Sequence, residues 1–137
     1  MAGALPADIR ANLVGQCSMP AILPDPASAA AGTSLYFANC AGCHGDEGEG
    51  KPNVAPPLDG NATVAALNPF NLIASILDGV PTHRYTPENS FYAMPGFADL
   101  LSNNEITDLS NFMRMTWSGM PEPITPEQVQ SIREKLK

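Results

Sequence analysis

Apolar positions recur at helical spacing in several stretches of the chain, and each stretch is bracketed by helix start and stop residues. Asp25-Pro26 supplies an N-cap and a proline at the first helical position, which predicts a helix from there to about Cys40. Asn68-Pro69 repeats the signal. Phe70, Ile73, Ala74 and Leu77 follow at i, i+3, i+4, i+7, and Gly79 ends the helix. Ser102 with Glu105 reads as a capping box ahead of a stripe of Ile106, Leu109, Met113 and Trp117, stopped by Gly119. Thr125-Pro126 with Gln128 starts a last short helix with Val129, Ile132 and Leu136 on one face. Arg133, Lys135 and Lys137 in its last turn suit the negative end of the helix dipole. No alternating strand pattern of useful length appears, so the expected fold class is all-α.

Two loops separate these helices. Gly42 to Gly60 holds five Gly and three Pro, and Val80 to Gly96 contains Pro81, Pro87 and Pro95. Residues 1–24 lack a sustained period and read as an extended arm or a linker. The chain of 137 residues fits one domain, with a core region over roughly 26–118.

Composition sharpens this picture. Aromatics make up only 7% of residues and Pro numbers 14, so the protein core is modest and a buried prosthetic group would supply missing apolar volume. The net charge of −7 argues against nucleic acid, which needs clustered cations, and against anionic membrane surfaces. It suits solubility or a docking surface for a basic partner. No apolar stretch approaches the ~18 residues needed to span a bilayer. The N-terminus lacks the pattern of a signal peptide, so the expectation is a removed signal or an excised fragment with an added Met1.

The three cysteines are Cys17, Cys40 and Cys43. An odd count disfavours a disulfide framework. Cys17 lies where a lipoprotein site would require a small residue at Gln16, so it reads as a buried or free thiol. Cys40-Ala41-Gly42-Cys43-His44 is C-x-x-C-H, the attachment signature for c-type haem. Two thiols must reach two vinyl groups on one porphyrin edge, and a two-residue gap in a helical end puts both sulfurs on one side. The next residue, His44, then supplies an imidazole to the iron. A thioredoxin-like site would need a βαβ context. A Cys40–Cys43 disulfide would close a strained ring. A zinc site would draw Cys17, Cys40, Cys43 and a His from unrelated segments.

The iron's opposite face calls for a thioether or a second imidazole. Met1 and Met19 lie in the arm, Met113 sits on an apolar stripe, Met115 is off that stripe, and Met120 follows the helix end. Met94 lies in a proline-rich loop stiffened by Pro95, with Gly96 permitting a tight turn. Met94 is therefore the expected ligand over His83, which next to Arg84 reads as a surface or haem-edge residue. Tyr85, Tyr92 and Arg84 are candidates to bond a haem propionate.

Gly32, Tyr36, Cys40, Cys43 and His44, with Pro56-Pro57-Leu58 and Met94, resemble the class I cytochromes c. The resemblance implies short helices wrapped around one covalent haem c, with His44 and Met94 on the iron and a Pro56 carbonyl accepting the His44 Nδ1 hydrogen. It implies that Gly32 lets the first helix approach the last, and that Tyr36 meets the stripe of Leu109 and Met113. It divides the chain into an arm (1–24), a cytochrome c domain (25–120) and a C-terminal helical extension (121–137). Met94-Pro-Gly-Phe-Ala-Asp-Leu-Leu-Ser, Asn111-Phe112-Met113-Arg114 and Trp117-Ser118-Gly119 are similar to haem domains in cytochrome c subunits of membrane-bound dehydrogenases. Those subunits usually carry three such domains, whereas this chain has one C-x-x-C-H.

The implied function is one-electron transfer rather than catalysis, in a periplasmic or otherwise extracytoplasmic setting. The implied partners are a dehydrogenase donor and an oxidase or cytochrome acceptor, and Asp46, Glu47 and Glu49, directly after the attachment site, read either as a docking patch for a basic partner or as a solvated acidic loop. The alternatives are a haem domain or subunit excised from a larger dehydrogenase complex, and a gas sensor that releases Met94.

Overall fold

The computed structural model describes residues 26–86, 89–119 and 123–137. In chain order its elements are α1 (Pro26–Asn39), α2 (Ala41–His44), α3 (Ala62–Ala65), α4 (Phe70–Asp78), β1 (His83–Thr86), β2 (Asn89–Phe91), α5 (Asn103–Trp117) and α6 (Pro126–Lys135). The chain is mostly helical, as its pattern predicts. Cys17, Met1, Met19 and Met120 lie outside the described residues, as does the arm.

The caps explain where the long elements begin. Glu105 N–H donates to Ser102 Oγ at 3.2 Å and Ser102 N–H to Glu105 Oε1 at 2.9 Å, the reciprocal capping box expected for α5. Thr125 and Gln128 do the same for α6. The start of α4 is one residue later than expected. Pro69 is its N-cap, and Asn68 Oδ1 accepts from Phe70 N–H at 2.9 Å. Its buried face is Leu72, Ile73, Ile76 and Leu77, rotated from the expected stripe, with Phe70 and Ala74 half-buried. The turn α3, unexpected from the sequence, is capped by Asn61 Oδ1 on Thr63 and Val64 N–H.

The segment expected as a plain loop at 80–96 contains an antiparallel hairpin, with His83 opposite Phe91 and Arg84 opposite Ser90. Strands of four and three residues are too short for a period-two pattern to stand out.

The core draws Tyr36 from α1, Val64 from α3, Ile73 from α4, Ile106 and Leu109 from α5 and Val129 from α6, all 1% exposed or less. Burying each aliphatic side chain stabilises the fold by about 1.5–3 kcal/mol. Helices α1 and α5 pack closely at Gly32. A Cβ on Gly32 would lie 2.4 Å from the Asp108 carbonyl oxygen and 2.8 Å from Phe112 Cβ. Gly32 thus lets α1 approach α5, the last helix of the 25–120 region, as the resemblance implies. One turn on, the Tyr36 ring packs on Phe112 and Trp117, with centroids at 5.5 and 5.0 Å.

Helix α6 closes the other side of α5. Asn111 Nδ2 donates to Ile124 O at 3.0 Å and Ile124 N–H returns a bond to Asn111 Oδ1 at 2.7 Å. Arg133, expected only to complement the dipole, reaches Ala98 O, Leu101 O and Asn103 Oδ1 at 2.6, 3.0 and 2.9 Å. Its guanidinium staples α6 to the chain between Met94 and α5.

Gly32→Ala is expected to lower stability by about 1–3 kcal/mol, although alanine is about 1 kcal/mol the better helix former, because the added methyl meets backbone. Denaturant titration measures the difference. Arg133→Ala is expected to cost about 2 kcal/mol, since three acceptors lose a charged donor. Thermal unfolding reads that loss.

Candidate haem-binding site

The end of α1 runs directly into the attachment motif. Cys40 N–H donates to Tyr36 O at 2.8 Å, and the bonds of Cys43 and His44 N–H to Cys40 O, at 3.1 and 2.9 Å, close the short turn α2. Residues three apart on a helical turn share a face, so Cys40 and Cys43 line the same cleft. Both are free thiols, Cys40 buried and Cys43 exposed. Burial, and then the neighbouring Cys43, pushes the Cys40 thiol up to about 11, so it stays protonated at neutral pH.

His44 follows and is buried, with 8% exposure. Its Nδ1 lies 2.8 Å from the Pro56 carbonyl oxygen. A carbonyl only accepts, so Nδ1 carries the proton and Nε2 keeps its lone pair. Burial pushes the His44 pKa down, opposed in part by the bond to Pro56, and the imidazole is held neutral. The loop that returns Pro56 to this place is pinned by Gly50 N–H on His44 O at 2.7 Å and Leu58 N–H on Gly48 O at 2.8 Å. Two further bonds steady the motif's carbonyls. Lys51 Nζ donates to Gly42 O at 2.7 Å and the buried Tyr36 hydroxyl to Gly45 O at 2.5 Å.

Met94 lies half-buried on the same cleft. Both of its backbone groups are paired with Val80, N–H to Val80 O at 2.8 Å and O from Val80 N–H at 3.0 Å. Gly79 makes this pairing possible, since its φ is +77° and a Cβ there would meet Met94 O at 2.3 Å. Gly96, expected to permit a tight turn, serves by close approach. Its φ is not positive, and a Cβ there would lie 2.6 Å from Leu77 O. Phe97 and Ala98 N–H then bond to Ile76 and Leu77 carbonyls, which anchors the strap to the end of α4.

The structure thus brings Cys40, Cys43, His44, Pro56 and Met94 to one cleft. Met113 is 3% exposed in the helical core, and Met115 lies outside the cleft lining. The side chains of His83 and Tyr85 fall outside what is described. Arg84 and Tyr92 are exposed, and Tyr92 lines the cleft. Among the described residues no group of three or more His, Cys, Asp or Glu could hold a metal ion. Of the three acidic candidates, Glu49 is engaged locally. Its carboxylate accepts from Glu47 N–H at 2.9 Å, and its own and Glu47's backbone N–H groups hold it below the usual carboxylate range. Lys51 and Asn53 were missed by sequence reasoning. The signal that marks them is the Pro52-Asn53 turn pair inside the loop.

These residues fit a covalently held iron porphyrin. Two unbonded thiols sit on one face of the cleft, a neutral imidazole has its far nitrogen unprotonated, and a thioether is the second soft donor.

Comparisons with known proteins agree. The family model described as cytochrome c matches residues 29–117. The chain is 37% identical over 106 residues to the cytochrome c subunit of alcohol dehydrogenase (quinone) from Gluconobacter oxydans (strain 621H), covering 75% of this chain and 22% of that protein. It is 33% identical over 108 residues to the fructose dehydrogenase cytochrome subunit from Gluconobacter japonicus, covering 74% and 22%. The chain therefore spans about a fifth of the length of these relatives. The solved c-type cytochrome XoxG from Methylobacterium extorquens AM1 aligns over 80% of this chain and 67% of its own, at 21% identity and a TM-score of 0.45. With the family model covering the helices that frame the cleft and the attachment motif within it, the chain belongs to the cytochrome c family, whose prosthetic group is a covalently bound haem c.

Proposed function

We propose that the chain carries single electrons through a haem c joined to Cys40 and Cys43, with His44 as proximal and Met94 as distal iron ligand. The observation that carries the reading is that His44, oriented by Pro56, and Met94, fixed by Val80, face one cleft. When bound, the haem supplies a one-electron Fe(II)/Fe(III) couple. The chain's own residues do the rest. Pro56 fixes the imidazole plane and raises its basicity. The Met94 thioether would favour Fe(II) and, with His44, would leave no coordination site for a substrate. Buried Phe97 and Cys40 exclude water from the cleft wall. In this reading the chain itself catalyses no reaction.

The partners proposed are a dehydrogenase or reductase donor and a downstream oxidase or cytochrome acceptor, in an extracytoplasmic compartment. Among the described residues no helix is long and apolar enough to cross a membrane. A second reading makes this chain the haem domain or subunit of a larger dehydrogenase. It is favoured by the relatives, which are named as dehydrogenase cytochrome subunits and are several times longer than the matched region. All three acidic candidates are exposed, and Asp46 and Glu47 are the pair proposed for docking because the Glu49 carboxylate accepts from Glu47 N–H in its own loop.

Met94→Ala is expected to abolish the weak sulfur-to-iron charge-transfer band at the red end of the oxidised spectrum. Met113→Ala is expected to keep the band while losing about 2–5 kcal/mol of stability through its core cavity. A band that survives in Met94→Ala would remove Met94 from the iron. Carbon monoxide is expected to leave the reduced spectrum of the unaltered protein unchanged, and a shift would favour a sensor. Neutralising Asp46 and Glu47 together is expected to flatten the ionic-strength dependence of electron transfer to a basic partner protein. An unchanged salt slope, measured by stopped flow, argues against docking there.

A further inference from the structure

The cleft has two walls drawn from distant parts of the chain. One is the loop 51–56, which ends on Pro56. The other is the arm of the hairpin that leads from β2 to Met94. They are joined directly. Tyr92 N–H donates to Val54 O at 3.1 Å, and Ser90 N–H donates to Asn53 Oδ1 at 3.3 Å. The second bond is the one that depends on a particular side chain, and it spans 37 residues of sequence.

Asn53 is also unusual in its backbone. Its φ is +60°, the one positive φ at a non-glycine position among the described residues. Lys51-Pro52-Asn53-Val54 is closed by Val54 N–H on Lys51 O at 3.0 Å. Proline at the second position and a left-handed third residue fit a type II turn. Glycine satisfies that third position best, and asparagine tolerates it. The turn itself has no need of the Asn53 side chain. The side-chain oxygen is turned instead to the opposite wall, where it meets an N–H of β2.

We propose that Asn53 is a positioning residue, a clasp that ties the loop holding Pro56 to the arm holding Met94 and so keeps the Met94 thioether on the iron. The proposal rests on the reading of Met94 as distal ligand. For Met94 to leave, its strap must swing outward. Its backbone pairing with Val80 holds one side of the strap. The clasp at Ser90 and Tyr92 holds the arm that enters it. Opening the arm breaks the bonds at Asn53 and Val54 and none in the helical core, because the residues involved belong to the loop and hairpin arm alone.

The test uses ferric holoprotein and free imidazole as a competing ligand, followed by loss of the sulfur-to-iron band. Asn53→Gly keeps the turn and removes the clasp. Its imidazole binding is expected to be about fivefold faster and tighter than that of the unaltered protein, as the net worth of one hydrogen bond implies. Its thermal midpoint is expected to hold or rise, since glycine suits the positive φ. Asn53→Asp retains Oδ1 as an acceptor and is expected to restore near-normal imidazole kinetics. If Asn53→Gly binds imidazole at the unaltered rate, the clasp is refuted, whether or not its midpoint falls. If the unaltered ferric protein lacks the band altogether, the Met94 reading fails and the clasp falls with it, which separates the two failures.

Discussion

The bond from His44 Nδ1 to the Pro56 carbonyl constrains both the imidazole and the path of the chain around it. It sets the tautomer, because a proline carbonyl can only accept, and so it decides which ring nitrogen is free for a metal. It also sets a path. His44 sits at the end of a one-turn helix, and the chain must return twelve residues later to offer Pro56 O. The glycine-rich loop between them is held by backbone bonds to His44 O and Gly48 O, so its irregular shape is nonetheless paired. A buried donor left without its acceptor costs about 1–3 kcal/mol, which gives the loop a reason to adopt this one closure.

The opposite wall answers to a different constraint. A methionine side chain is flexible, so its position must come from its backbone. Here both backbone groups of Met94 are committed to Val80, and the following residues are bonded to the end of α4. Arg133 then adds a restraint from the far end of the chain, since its guanidinium takes the carbonyls of Ala98 and Leu101. The C-terminal helix is therefore part of what holds the strap in place, and its packing on α4 and α5 serves the cleft as well as the core.

Much of this was legible in the sequence because it rests on local chemistry. The capping residues Ser102 and Thr125 fixed the starts of α5 and α6, the stripe of Ile106, Leu109 and Met113 is buried as its spacing requires, and Cys40 to His44 carry an unmistakable spacing. What was not legible depends on tertiary contacts. The buried face of α4 is Leu72, Ile73, Ile76 and Leu77, where α5 and α6 pack, and a stripe drawn from Phe70 shares Ile73 and Leu77 with it but is rotated from it. The hairpin at 83–91 is too short to show alternation. Arg133 and Asn111 look like surface residues in one dimension, and only the fold shows which backbone carbonyls they satisfy. Asn53 reads as a turn residue, and its partner lies on a strand the sequence did not announce.

The kind of bond used at the site bears on how far the cleft depends on surface charge. His44, Lys51, Tyr36 and Arg133 all donate to backbone carbonyls rather than to carboxylates. Hydrogen bonds to backbone depend little on ionic strength, whereas attraction between exposed charges is screened over about 8 Å in physiological salt. Ligand geometry and surface charge are thereby separated. The cleft keeps its shape through buried and backbone bonds, so the charge of the exposed carboxylates can change without disturbing the residues that line it. A haem scaffold of this kind can keep its cleft while its surface changes, because the residues lining the cleft are tied to backbone and not to exposed charge.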